Sequence, residues 1–281
     1  MTESIFLADG DLFVPTEHAR GPWDPGALHG GAPAALIASA FERMEPGREL
    51  PFARLSYEFL RPVPMAPLRL VTHISRPGRR VQALAAELEA EGLTVCRASA
   101  LRLVAAPEEL PELALEQAKA ARAGAIAGPE DGQDVHFSLD QVEHKSFAST
   151  AMEMRFLEGS PLSGELPGLD TPSEHVPSGA ARVWMRLRYP LLPEEPLTPL
   201  ARVAAAADFG NGVATVLPFE QYLFINADLT ISLDRHPQGE WVALDARTLL
   251  HPGGIGWAES TVHDEGGPVG RAAQALVVQR R

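Results

Sequence analysis

The sequence predicts an α+β fold built from two similar halves, in which each half is one helix followed by four antiparallel strands. The main observation is an internal repeat, because the turns and apolar positions of residues 73–104 return in the same order in residues 247–278. A shorter match joins residues 56–62 with residues 230–237. A segment rich in small residues also precedes the strands of each half, which is typical of a helix packed closely against other elements.

In the first half, the helix is expected to begin near Gly31 and to run to residue 44, with Pro33 tolerated in its first turn. The run 79–92 is rich in alanine, leucine and glutamate and is also compatible with a helix. The short turns on both sides of it favour a strand. The four strands are therefore predicted at residues 53–63, 67–78, 79–92 and 93–104.

In the second half, one strand at residues 181–191 precedes a helix at residues 198–209. The two glycines after this helix indicate its end. In the comparison of the two halves, Ser99 takes the position of Gln274. Four strands are predicted to follow the helix, at residues 222–235, 240–250, 254–266 and 268–279.

The segment between the halves breaks the pattern, because residues 106–145 combine proline, acidic residues and alanine. We interpret it as a linker between an N-terminal unit at residues 1–105 and a C-terminal unit at residues 146–281. Within the second unit, residues 158–180 are rich in proline, glycine and serine and predict a long loop.

Composition and charge exclude several classes of function. A net charge of −13 repels nucleic acid. With Cys96 as the single cysteine, no disulfide can form within the chain, and a cytoplasmic location is expected. We predict no secretory signal and no membrane span, because the N-terminus is acidic and no apolar run reaches ~18 residues. Scattered histidines, and the lack of zinc, phosphate-loop and nucleophile-elbow motifs, predict neither metal nor cofactor.

Six segments of the chain, taken in their order and spacing, resemble those of a known protein family. Along nearly its whole length it resembles the acyl-CoA thioesterase II (TesB-like) family, whose members have the double hot-dog fold of two tandem units, each a long helix wrapped by an antiparallel sheet. The resemblance implies hydrolysis of acyl-CoA in lipid metabolism and a homodimer or larger homo-oligomer. The segments are HGGAPAALIASAFERM, LSYEFLRPVP, RVWMRLR, AAADFGNG, NADLTISLDRHPQGEW and GPVGRAAQA.

The resemblance also implies a catalytic group that orients the attacking water. Its members here are Asp208 at the end of the second helix, Asn226 on the next strand and Gln274 on the last strand. A hydroxyl residue is usual where this chain has Asn226, whose amide can bind water but cannot relay a proton as a hydroxyl does. Thr230, four residues further on, is the alternative if the register differs. Because the first half has no such group, one site per chain is expected.

The HGG sequence at residues 29–31 supplies the complementary part of that site. The resemblance implies that a backbone N–H at the start of the first helix polarises the thioester carbonyl. Gly30 and Gly31 allow close approach to the backbone, although a simple tight turn is the alternative interpretation. On the first interpretation, Gly31→Val reduces turnover and leaves the fold nearly intact. His29 orients this loop or contacts substrate, or it is only a locally hydrogen-bonded residue.

Three further points stay open at the level of sequence. A non-hydrolytic protein that binds acyl-CoA or a fatty acyl group is one alternative function. A hot-dog hydratase or dehydratase is another, although no pairing of aspartate and histidine stands out in the sequence. Arg76, Arg79 and Arg80 are either a contact for CoA phosphates or a solvated turn, and Cys96 is expected to be a small core residue rather than a nucleophile.

Overall fold

The computed structural model describes residues 3–45, 50–105, 111–121, 124–135, 145–159, 179–217, 219 and 221–281. Within this part of the chain, the strands form one sheet of 14 strands in which neighbouring strands are antiparallel. Two of the helices are alanine-rich and lie against the inner face of the sheet, where most of the buried side chains are found.

The first half contributes six strands and the long helix α1 (Gly31–Arg43). The helix begins where the sequence predicted, and the ambiguous run 79–92 is a strand. Alternate side chains of this strand are buried, which is the pattern of a sheet with one covered face. The strands are β1 (Phe6–Asp9), β2 (Leu12–Pro15), β3 (Phe52–Phe59), β4 (Leu68–Arg76), β5 (Val81–Ala90) and β6 (Leu93–Leu103).

The connection between the halves contains helix α2 (Glu112–Ala121), a short 3-10 turn at Pro129–Asp131 and the two-residue strand β7 (Gln133–Asp134). A π-helical turn at Phe147–Ala151 then leads into strand β8 (Met152–Glu158), which the sequence analysis did not predict. Of the predicted loop 158–180, residues 160–178 lie outside the described residues.

The second half contains β9 (Ala180–Leu187), helix α3 (Pro199–Ala207) and the single turn α4 (Gly210–Val213). The strand predicted at residues 222–235 is two strands, β10 (Tyr222–Asn226) and β11 (Asp228–Leu233), which are separated at Ala227. The N–H of Ala227 donates to Ala275 O at 3.1 Å. The remaining strands of this half are β12 (Val242–His251), β13 (Ile255–Asp264) and β14 (Gly267–Arg280).

The two halves join edge to edge through β3 and β11, where Ser56 lies opposite Thr230. On the outer neighbours of these strands, Ser99 lies opposite Ser56 and Ala273 lies opposite Thr230. The residue that corresponds to Gln274 is therefore Ala100, and the predicted equivalence of Ser99 with Gln274 is wrong by one position. In a strand, a shift of one residue moves a side chain to the other face of the sheet.

The helices α1 and α3 pack against each other in antiparallel orientation. At one end, a Cβ atom added to Gly31 would lie 2.7 Å from the main-chain oxygen of Ala205, so the start of α1 touches the end of α3. At the other end, the N–H of Leu200 donates to the Glu42 carboxylate at 3.2 Å. Small side chains on both helices permit this close approach. It brings the HGG segment to Asp208.

Candidate active site

A cavity of about 310 Å³ opens between the two halves, where β3 has ended and β10 pairs with β14 alone among the described strands. Its walls come from the loop before α1, the segment after β3, the end of α3 and strand β10. Most of these side chains are apolar, which is usual for a small-molecule site. The polar or charged groups on its walls are Asp24, His29, Arg61, Asp208, Asn211 and Asn226.

Asp208 is the buried carboxylate of this cavity, and only 4% of the residue is exposed. It caps the C-terminal end of α3, and no ion pair with lysine or arginine neutralises it among the described residues. Asn226 Nδ2 donates to Asp208 Oδ1 at 2.9 Å and to the main-chain oxygen of Asp228 at 3.3 Å. Both partners are acceptors, so the amide orientation of Asn226 is determined. The structure thus brings Asn226 to Asp208 as the sequence predicted.

His29 is the second partner of Asp208, and its Nδ1 lies 3.0 Å from Oδ2. The imidazole packs against the rings of Phe209 and Phe147, with centroid distances of 4.3 and 5.1 Å, and these two rings also contact each other at 5.9 Å. No pairing of aspartate and histidine stands out in the sequence, but the structure brings His29 and Asp208 together. The pair was missed because 178 residues of chain separate its members before α1 and α3 bring them together.

Two groups compete for the same nitrogen of His29. The N–H of Gly31 donates to Nδ1 at 3.1 Å, while Asp208 Oδ2 approaches that atom at 3.0 Å. A ring nitrogen either carries a proton or offers a lone pair, so Nδ1 cannot donate to Asp208 and accept from Gly31 at once. When Nδ1 carries the proton, it donates to the carboxylate and the Gly31 N–H is released. The position of one proton therefore couples Asp208 to the start of α1.

The two glycines of the HGG segment have different roles in the structure. A Cβ atom on Gly30 would lie 2.8 Å from both carboxylate oxygens of Asp208, so the missing side chain makes room for that group. The N–H of Gly30 has no hydrogen-bond partner in the described chain, and the residue lines the cavity. Gly31 instead faces Ala205 O and the ring of Phe147. The expectation that Gly31→Val leaves the fold nearly intact is wrong, because the added side chain would enter the contact between the helices.

Gln274 is buried beside Asp208 but does not reach its carboxylate in this structure. Its Nε2 donates to the main-chain oxygen of Asp208 at 3.1 Å, and its Oε1 accepts from the N–H of Asn211 at 3.3 Å. The side chain therefore joins the end of α3 to the first turn of α4. A Cβ atom on Gly210 would lie 2.9 Å from Gln274 Oε1, so this glycine also allows the close approach.

Thr230 is not brought to the cavity, and its prediction as an alternative to Asn226 is wrong. The interruption at Ala227 ends the regular alternation that would have kept both residues on one face. Thr230 lies opposite the exposed Ala273, whereas Gln274 points inward from the next position of the same strand. Its hydroxyl instead donates to Ser56 Oγ at 3.4 Å.

Two other candidates from the sequence lie outside the cavity. Cys96 is fully buried, and burial raises the pKa of its thiol to about 12, so it is a core residue as predicted. Arg76 is the last residue of β4, and Arg79 and Arg80 belong to the turn between β4 and β5. The N–H of Val104 donates to Arg80 O, which places this turn beside the start of β3, whereas the cavity lies beyond its end. These arginines therefore do not line the site.

The structure adds residues that the sequence analysis did not single out, namely Trp23, Arg61, Phe147, Phe209 and Asn211. Phe209 and Asn211 follow Asp208 in the segment AAADFGNG and could have been considered on that ground. The others come from separate parts of the chain and carry no common motif. Among the described residues, no group of three histidine, cysteine or acidic side chains could hold a metal ion. None of the helices in the described segments has the length and hydropathy needed to cross a bilayer.

Comparisons with known proteins agree with this architecture. Two family models match the chain, the acyl-CoA thioesterase N-terminal domain over residues 19–103 and the acyl-CoA thioesterase C-terminal domain over residues 128–278. No curated protein matches the chain in sequence.

Three solved structures illustrate the similarity. A hot dog fold protein of unknown function from Alicyclobacillus acidocaldarius has a TM-score of 0.67 at 18% identity, covering 98% of this chain and 95% of its own. The acyl-CoA thioesterase II TesB2 from Mycobacterium marinum has a TM-score of 0.60 at 19% identity, covering 92% of each chain. The tesB protein of Mycobacterium avium subsp. paratuberculosis has a TM-score of 0.59 at 16% identity, covering 98% and 95%. The predicted α+β double hot-dog fold is confirmed.

Proposed function

The chain belongs to the acyl-CoA thioesterase family, as its sequence predicted, and on this premise we propose that Asp208 activates the water that attacks the thioester. The protein is an acyl-CoA thioesterase, so its products are the free acid and CoA.

The reaction begins with a water molecule held against Asp208. As the water oxygen bonds to the thioester carbon, the carboxylate takes its proton and the carbonyl oxygen becomes negative. The free N–H of Gly30 is the donor placed to stabilise this oxyanion, together with the Gly31 N–H when His29 donates to Asp208. The C–S bond then breaks and the CoA thiolate takes up a proton from the protonated Asp208. No metal or cofactor takes part in this proposal.

The other polar residues position the base rather than react. Asn226 and His29 each approach one oxygen of the carboxylate, which holds its plane in place. Gln274 fixes the main chain at Asp208 and the start of α4. Asn226 stands where the family usually has a hydroxyl residue, and its amide donor supplies the hydrogen bond to the base without a proton relay.

One observation carries the proposal: a carboxylate with 4% exposure lines an apolar cavity and has only neutral donors, apart from an imidazole, as neighbours. Such a group has lost most of its water without gaining a permanent cation. A second observation concerns Gly30, which lines the same cavity. Among the described residues, its N–H is the only donor at the start of α1 that can form a hydrogen bond with the substrate without rearrangement.

The test is Asp208→Asn, which keeps the volume of the side chain and removes the proton acceptor. We expect release of free thiol from a panel of acyl-CoA thioesters to fall by ~10²–10⁴-fold. The melting temperature should not fall, because no cation loses its partner. Wild-type turnover in the folded variant would contradict the mechanism. Binding of acyl-CoA by the wild type without any thiol release would favour the non-hydrolytic alternative.

A second candidate activity has one specific observation in its favour. The contact between His29 and Asp208 places a base and a proton carrier side by side, which also suits addition of water to an α,β-unsaturated acyl thioester. Loss of the enoyl absorbance with enoyl-CoA, without thiol release, is the result that would favour this hydratase activity. Thiol release with saturated acyl-CoA excludes it as the sole reaction.

We further infer a homodimer or larger homo-oligomer that acts in the lipid metabolism of the cytoplasm. The outer face of the second half carries exposed apolar side chains, Leu249, Ile255 and Trp257, and an apolar surface of this kind commonly marks an interface between proteins. The single cysteine supports the cytoplasmic location. Pairing of β1–β6 on one side and β8–β14 on the other supports two units, at residues 1–105 and 146–281, with a connection at 106–145 whose short strand β7 pairs with β8 of the second unit.

A further inference from the structure

The substrate of this protein presents an electrostatic problem. CoA carries a pyrophosphate and a 3′-phosphate, whereas the chain has a net charge of −13. Long-range repulsion would therefore slow the approach of the substrate unless cations stand at the mouth of the cavity. The arginine turn that the sequence suggested for this purpose lies beyond the other end of β3.

Two other arginines have the required position. Arg61 lies just after β3, is exposed and lines the cavity that contains Asp208. Arg281 lies over the ring of Trp23, another residue of the cavity wall. Neither arginine has an ion-pair partner among the described residues, although most arginines of the two sheet faces do.

Arg281 is held in place without being neutralised. Its guanidinium lies 5.4 Å from the ring centroid of Trp23 and 4.6 Å from that of Phe219, and these two rings are stacked at 4.3 Å. A cation over aromatic faces keeps its full charge and its N–H donors. Asp24, an acidic residue of the cavity wall, accepts a hydrogen bond from the N–H of Gly26 in its own loop at 2.8 Å.

We infer that Arg61 and Arg281 bind the phosphate groups of CoA and select a CoA thioester over a thioester that lacks the nucleotide. Guanidinium groups match phosphate oxygens in a bidentate geometry, and two of them on one rim supply more than a general attraction. The inference rests on the proposed function, since it assigns the carrier end of the substrate to the mouth of the cavity that Asp208 lines.

The experiment compares one acyl group on two carriers, CoA and pantetheine, with the variants Arg61→Gln, Arg281→Gln and the double variant. The matched control is Arg271→Gln, which removes the same charge from an exposed arginine on the outer face of β14, at the other cavity of the sheet. We expect the KM for the CoA thioester to rise roughly tenfold or more in the double variant, as for loss of charge-assisted hydrogen bonds. The kcat for both carriers and the KM for the pantetheine thioester should stay as in the wild type.

Salt provides a second readout, because exposed charges are screened at high ionic strength. The KM of the wild type for the CoA thioester should rise with added sodium chloride, and that of the double variant should rise less. A 3′-dephospho-CoA thioester separates the contribution of the 3′-phosphate from that of the pyrophosphate.

Three results would overturn the inference: an equal loss with both carriers, no loss with either, or the same loss in Arg271→Gln. Binding of free CoA, measured by calorimetry, tests the same arginines without turnover. If the wild type binds CoA more tightly than the double variant but releases no thiol, the proposed function fails and the inference stands. If thiol is released and CoA binds both proteins equally, the inference fails and the proposed function stands.

Discussion

Gly30→Ala is the smallest change that should separate the geometry of the site from its chemistry. The residue is at the start of α1, where its main chain takes helical torsion angles that alanine also adopts. The change therefore adds one methyl group and leaves Asp208, Asn226 and His29 chemically intact. The new Cβ atom would lie 2.8 Å from both carboxylate oxygens of Asp208.

The size of the effect follows from that distance. Ordinary contact with a Cβ atom begins at 3.4 Å, so the carboxylate must retreat by about 0.6 Å or α1 must move away from α3. Either movement stretches the contacts of 2.9 Å to Asn226 and 3.0 Å to His29. A misplacement of about 1 Å at a reacting group can cost ~10²-fold in rate. We expect kcat to fall by about 10- to 100-fold, with a loss of about 1–3 kcal/mol in the free energy of unfolding from overpacking.

The assay measures thiol release and thermal unfolding on the same sample, with Gly212→Ala as the matched control. Gly212 also lies at the cavity wall, but a Cβ atom there meets nothing within 4 Å. The Gly212→Ala variant should keep most of the activity and all of the stability. Wild-type turnover in Gly30→Ala would refute the argument that Asp208 must stay where this glycine allows it. Equal losses in both variants would mean that any methyl group in the cavity obstructs the substrate.

Three further predictions concern stability and assembly. Gly31→Val should lower the melting temperature as well as the turnover, because its Cβ atom would lie 2.7 Å from Ala205 O; unchanged unfolding would show that the helices can separate at no cost. His263 is fully buried, and its ring has no hydrogen-bond partner among the described residues. Burial lowers the pKa of His263, so the folded state resists its protonation. Stability is therefore lost as the pH falls below about 6.5, the ordinary pKa of histidine. His263→Leu should therefore raise the free energy of unfolding by about 1 kcal/mol at neutral pH and flatten its fall towards pH 5 in denaturant titrations, whereas parallel pH profiles would assign the fall to other groups. Light scattering should give a mass of two chains or more, and a constant mass of 30.2 kDa at all concentrations would contradict the homo-oligomer.

Much of the fold could be predicted from the sequence, because local sequence patterns determine its helices and strands. The repeat between residues 73–104 and 247–278 predicted two similar halves, and short turns on both sides identified 79–92 as a strand despite its helix-forming composition. The start of α1 at Gly31 followed from the glycine pair and Pro33. Each of these features depends on residues close together in the chain.

Only part of the candidate active site could be predicted from the sequence. Asp208, Asn226 and the HGG segment were predicted from the family resemblance, and the structure brings them together around one cavity. Thr230 and the equivalence of Ser99 with Gln274 were wrong because each depended on strand register. The interruption at Ala227 and a slip of one residue are invisible in a composition pattern, yet either moves a side chain to the opposite face.

By itself, the sequence determined the two-unit α+β architecture, the family and the residue types available for water activation. Tertiary structure alone decided that His29 contacts Asp208, that Gly30 leaves the space for this carboxylate, and that Arg61 lines the cavity while Arg281 lies over Trp23 in its wall. The physical reason is distance along the chain. Helix and strand signals arise from neighbouring residues, whereas the active site forms where the start of α1 meets the end of α3, and antiparallel packing of two helices from different halves produces that meeting.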